Sequence, residues 1–118
     1  MTQPNAHQLL DIARQTLLEH VLPALSGDLR YQALMIANAM AIAAREGRLE
    51  AQVSTQEQAR LSALSDGPQR PLPDVRRTLA RDIREGRHDA PEGRHVLLET
   101  LHQVTRSRLT ISNPKAVP

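Results

Sequence analysis

The sequence contains no cysteine, no phenylalanine and no tryptophan, and its single tyrosine is Tyr31. Without thiols the chain has no disulfide, thiolate metal site, iron–sulfur cluster or cysteine nucleophile. The shortage of aromatic rings removes stacking platforms for nucleobases, and a sandwich or barrel core is deprived of the side chains it usually draws on. Long apolar runs are also missing. The longest, residues 33–44, is interrupted by Asn38 and falls far short of the ~20 residues needed to span a bilayer. The first ten residues carry neither a basic stretch nor an apolar segment behind it, so a soluble cytoplasmic protein without membrane association is expected. One lysine and fourteen arginines stand against 13 acids, a net charge of +2 that gives nucleic acid little field to follow. There is no phosphate-binding Gly-rich loop, no Gly-x-Ser-x-Gly and no His-Glu-x-x-His.

What remains is a composition suited to helices. Seventeen leucines and fifteen alanines dominate a chain of 118 residues, enough for one domain with one core. The reading is an all-α protein, a compact bundle of about five helices in a single domain over residues 1–118. A proline-rich loop is expected at 66–73 and a short tail at 113–118.

The helix boundaries follow from capping chemistry. Asn5 with Gln8 three residues on opens the first helix, which Pro23 ends or kinks. The turn Ser26-Gly27-Asp28 leads into a second helix over about 28–46, with Gly47 as its expected left-handed terminator. Ser54 and Glu57 form a capping-box pattern for a short third helix, closed by Asp66-Gly67-Pro68. A fourth helix, about 74–85, places Val75, Leu79 and Ile83 on one face and stops at Gly86. Asp89 with Glu92 signals the fifth, which runs towards Asn113-Pro114.

The second helix carries the most information. Residues 33–44 are apolar on every side except at Asn38, a pattern that predicts a helix buried in the middle of the bundle. Ala33, Ala37, Ala41 and Ala44 form a small-residue face for close approach of a neighbour. Tyr31, Asn38 and Arg45 recur every seven residues and so draw one polar line along this helix. Two readings of that line stand open. It lines a cleft for an anionic, acyl-CoA-like ligand, or Asn38 satisfies a helix end inside the bundle.

Other patterns read as ordinary surface. Three Glu-x-x-His spacings, 85/88, 92/95 and 99/102, resemble di-iron motifs, but Gly86 interrupts the first and the other two share one helix, so no metal site is expected. Arg77, Arg81 and Arg84 share a helical face that offers a nucleic-acid reading, yet Asp74, Asp82 and Glu85 dilute it.

Three stretches, PALSGDLRYQALMIANAMAIAARE at 23–46, IREG at 83–86 and LTISNP at 109–114, together resemble a bacterial helical domain family of unknown function. The resemblance implies genes beside, or fused to, acyl-CoA dehydrogenase-like proteins and phosphotransferases resembling aminoglycoside kinases, and hence an accessory role. Carried over position by position, it names Arg30, Tyr31, Asn38, Arg45, Glu46, Arg84 and Asn113 as interaction residues. Ala116 stands where the family has an aromatic. The expectation is therefore a non-enzymatic, cofactor-free accessory protein that forms a dimer and engages such an enzyme. A small-anion cleft at Tyr31, Asn38 and Arg45 is the alternative, and nucleic-acid binding through the arginine-rich helix a second one.

Overall fold

The computed structural model describes residues 4–65, 67 and 69–118, and every regular element among them is helical. Four α-helices are present where about five were expected: α1 (Ala6–Thr16), α2 (Gly27–Ser62), α3 (Leu72–Arg84) and α4 (Pro91–Ser112). Between α1 and α2 the chain passes through a π-helical turn, Leu17–Val21, and a 3-10 turn, Leu22–Ala24, with Pro23 inside it. The tail ends in a second 3-10 turn, Pro114–Ala116.

The count differs because two expected helices are one. Gly47 keeps a helical backbone and Ser54 sits mid-helix, so α2 runs unbroken for 36 residues, about 54 Å at 1.5 Å per residue. At Gly47 the missing side chain serves packing instead of termination. A Cβ there would lie 3.2 Å from the His7 Cβ of α1, so the glycine lets two helix backbones cross closely. Ser54 does not cap either; its hydroxyl donates to Glu50 Oε1, one turn back, at 2.8 Å. The Asp89 box is likewise absent, α4 starting after Ala90 with Pro91 in its first turn.

Several local expectations hold. Asn5 and Gln8 exchange both capping-box hydrogen bonds, at 3.0 and 3.2 Å. Gly86, at φ +79°, follows the end of α3, and Asn113 ends α4. The proline-rich loop is shorter than expected, since Leu72 already starts α3; Asp66 and Pro68 of its expected first turn lie outside the described residues.

α1 and α4 both run antiparallel to α2. Arg14 of α1 meets Ala37 and Asp11 meets Arg48, while Ile111 of α4 meets Arg45 and Leu97 packs with Leu61. The main apolar cluster lies at the far end of α2, where Leu61, Val75, Leu79 and Leu97 are buried and Leu64, Leu72, Leu101 and Val104 pack around them. α2 is central, but its burial is one-sided. Ala33, Ala37 and Ala44 are buried, whereas Leu29, Tyr31, Met35 and Ile36 are 60%, 65%, 51% and 51% exposed. All-round apolarity here gives an open face instead of an enclosed helix.

The bundle is also elongated, because one helix longer than the core is wide sets its length. Its extents are 59 × 36 × 22 Å and its radius of gyration is 19.4 Å, against about 13.5 Å for a compact chain of this length. Accessible surface is 8295 Å², where a compact monomer of this mass exposes about 6,400 Å².

Candidate functional site

A cleft opens where α1, the middle of α2 and the end of α4 converge. Its volume is about 510 Å³, and Arg14, Asn38, Ala41, Arg45, Ser112, Asn113, Pro114 and Lys115 line it. Three parts of the chain supply one cation each: Arg14 from α1, Arg45 from α2 and Lys115 from the tail. The small-residue face explains the geometry. With alanines at 37, 41 and 44, α1 and the end of α4 approach α2 closely enough for Arg14 Nε to donate to Ala37 O at 3.2 Å and Arg45 Nε to Ile111 O at 2.8 Å. Asn113 breaks helical conformation after α4, and the following 3-10 turn brings Lys115 to the rim.

Three of the seven residues singled out from the sequence, Asn38, Arg45 and Asn113, come together here. The other four do not. Tyr31 is exposed and absent from the lining, so the seven-residue line divides between the cleft and the open face of α2. Arg30 donates to Leu22 O at 3.4 Å and braces the 3-10 turn. Glu46 is exposed on α2, and Arg84 lies exposed in the last turn of α3, where a cation suits the helix dipole. Asn38 itself is exposed, so the alternative of an amide buried against a helix end is not realised. Arg14 was missed by sequence reasoning. Its only signal was a cation on the apolar side of α1, beside Leu10, Ala13 and Leu17.

A second polar cluster, also missed, lies further along α2. Glu57 is buried, with a side chain 5% exposed, and accepts from Arg76 Nε and Nη2 at 2.5 and 2.9 Å and from Arg108 Nε at 2.8 Å. Arg108 also forks onto Glu50, whose Oε1 and Oε2 lie 2.8 and 3.0 Å from Nη1. The Arg76 hydrogen bonds, helped by Arg108, hold the Glu57 carboxyl below its ordinary pKa although burial opposes them. Arg108 and Ser54 do the same for Glu50. Both guanidiniums are in turn raised, Arg76 chiefly by Glu57 and Arg108 chiefly by Glu50. Two carboxylates and two guanidiniums cancel, which marks a structural clamp joining α2, α3 and α4. Glu50, Ser54 and Glu57 share a helix face in the sequence, but their partners lie 19 to 58 residues away.

The arginine-rich face of α3 is partly neutralised. Arg76 turns to Glu57, Arg77 pairs with Asp74, and Arg87 just beyond the helix lies 3.6 Å from Asp82 and 3.3 Å from Glu85. On α4, His95 and Glu99 are 3.8 Å apart and exposed, with His102 farther along the same surface. Among the described residues no helix is long and apolar enough to cross a membrane.

Over residues 23–116 the chain matches a family described as a domain of unknown function, DUF6285. No curated protein and no solved structure matches it.

Proposed function

This chain belongs to the DUF6285 family, and we propose that it is a non-enzymatic accessory protein that works as a homodimer, paired through the open face of α2. The observation that carries the reading is the surplus of exposed surface. About 1,900 Å² lies in contact with solvent beyond what a compact monomer of this mass exposes. A standard interface removes about 800 Å² per partner, and obligate homodimers remove more, so one such contact absorbs much of the surplus. The apolar part of it includes exposed Tyr31, Met35, Ala39 and Ala43 along the outward side of α2, with half-buried Ile42 beside them and exposed Leu29 and Ile36 flanking. Ala39 and Ala43 leave room for another helix to approach, and monomeric proteins seldom leave such a patch open. A second copy brings the same patch, and a two-fold axis makes it self-complementary.

The non-enzymatic reading is supported by the cleft's lining, which offers hydrogen-bond donors and cations without a nucleophile and base in contact. The accessory role is supported by the sequence resemblance, which implies genes beside, or fused to, acyl-CoA dehydrogenase-like and aminoglycoside-phosphotransferase-like proteins.

Light scattering on the purified chain tests the pairing. The expected mass is twice 13.1 kDa at tens of micromolar. Met35→Glu and Ala39→Glu are expected to give monomers of unchanged helicity, because each puts a charge into the contact from an exposed position. A monomeric wild type, or glutamate variants that stay dimeric, overturns this reading. A monomer that forms a defined complex with one of the two enzyme classes instead identifies the enzyme as the occupant of the face.

A further inference from the structure

We infer that the cleft between α1, α2 and the C-terminal tail is a binding site for a small phosphate-bearing anion. Outside the cleft, five of the chain's twelve other arginines pair with acids. Arg48 pairs with Asp11, Arg76 and Arg108 with Glu57, Arg77 with Asp74, and Arg87 with Asp82. In the cleft, Arg14, Arg45 and Lys115 face one volume, no carboxylate lines it, and none of the three forms an ion pair among the described residues. Like charges gathered around one cavity repel each other, and an anion between them converts that repulsion into attraction.

The two guanidiniums are held in place without using their outer nitrogens. Each gives only its Nε to a backbone carbonyl, Ala37 O for Arg14 and Ile111 O for Arg45, which fixes the plane of the fork. The terminal Nη atoms of both make no hydrogen bond among the described residues. A pre-oriented fork with free terminal donors matches the oxygens of a phosphate. Asn38 and Asn113 add neutral amide donors from opposite sides, and Ser112 adds a hydroxyl.

Size and polarity narrow the ligand further. A volume of about 510 Å³ falls within the range of small-molecule sites and exceeds what a lone inorganic ion fills. Ala41 and Pro114 are the only apolar residues in the lining, too little to shelter an acyl chain. The ligand class is therefore a polar molecule with at least two negative charges, such as a nucleoside diphosphate or a sugar phosphate. Because α1, α2 and the tail each contribute, such a ligand also ties the tail down.

Isothermal titration of the full chain with inorganic pyrophosphate and ADP, at low salt, tests the site, with succinate as a phosphate-free dianion for comparison. Saturable binding of one phosphate ligand per chain is expected, with succinate weaker. Lys115→Gln should weaken it about tenfold by removing one charge-assisted contact at an exposed position. Asn38→Asp, which places a carboxylate in the cleft, should abolish it. Absence of saturable binding up to millimolar ligand, succinate binding as tightly as pyrophosphate, or affinity indifferent to both substitutions would overturn the assignment. Repeating the titration with Met35→Glu separates this site from the dimer face, since the cleft lies within one chain.

Discussion

Glu57 is the residue whose removal should cost the fold most for the fewest atoms changed. Its carboxylate is buried, while the guanidiniums that hold it, Arg76 and Arg108, have side chains 48% and 30% exposed. Breaking a fully buried pair costs about 3 to 5 kcal/mol, and an exposed pair contributes about 0 to 1 kcal/mol. With one partner buried and two reaching water, the expectation lies between these limits. Glu57→Ala should lose about 2 to 3 kcal/mol and the isosteric Glu57→Gln about 1 to 2 kcal/mol. Urea unfolding followed by circular dichroism, at one fixed protein concentration so that any dimerisation contributes equally, measures the difference. The pH dependence supplies a second reading. Because the folded pKa of Glu57 lies below its ordinary value of 4.5, the unfolded chain takes up its proton first as the pH falls. The carboxylate's stabilisation is therefore complete above about pH 5, declines below that, and is lost once the folded group protonates. Wild type should lose stability through this window more steeply than Glu57→Gln, which retains only the parallel contribution of Glu50. A Glu57→Gln variant within 0.5 kcal/mol of wild type at neutral pH, with a parallel acid profile, would refute the clamp.

Gly47→Ala should fail to deliver the ~1 kcal/mol that alanine ordinarily adds inside a helix, because its Cβ meets His7; Gly47→Leu should cost about 1 to 3 kcal/mol, and thermal melts would expose the error if it were neutral. Asn5→Ala removes a capping box from a helix with no buried residue, so α1 amides should exchange faster by the equivalent of ~1 kcal/mol while the Leu61 to Leu97 cluster keeps its protection. Gly86→Ala forces a side chain to φ +79° and to 3.0 Å from Asp89 Oδ2, with an expected loss of about 1 to 2 kcal/mol in the same unfolding assay.

Most helix ends decided by the chemistry of their own neighbours are legible in the sequence, the unformed Asp89–Glu92 box before α4 being the exception. Asn5 and Gln8, Pro23, Gly86 with its left-handed turn, and Asn113-Pro114 all act within a few residues of themselves. The other misreadings arise where the deciding partner is remote. Gly47 reads as a terminator until His7 of another helix is beside it, and Ser54 with Glu57 reads as a cap until Arg76 and Arg108 claim the carboxylate. The cleft was partly legible for the same reason. Asn38 and Arg45 stood out as polar interruptions of an apolar helix, whereas Arg14 and Lys115 reach the site only through the antiparallel packing of α1 and the turn after α4. Burial was misjudged because periodicity reports which faces are apolar and says nothing of whether a neighbour covers them.

The uninterrupted course of α2 has a mechanical meaning. Its anchored end, at Leu61, is clasped by α3 and α4, whereas Leu29, at the open end, lies about 48 Å away along the axis. Between the two, α4 holds the helix at Glu57, Glu50 and Arg45, and α1 holds it at Arg48 and Ala37, so the rod is braced along its length. A partner that grips the open end therefore loads all of those contacts together, and one continuous helical backbone carries the load to the Val75, Leu79 and Leu97 cluster.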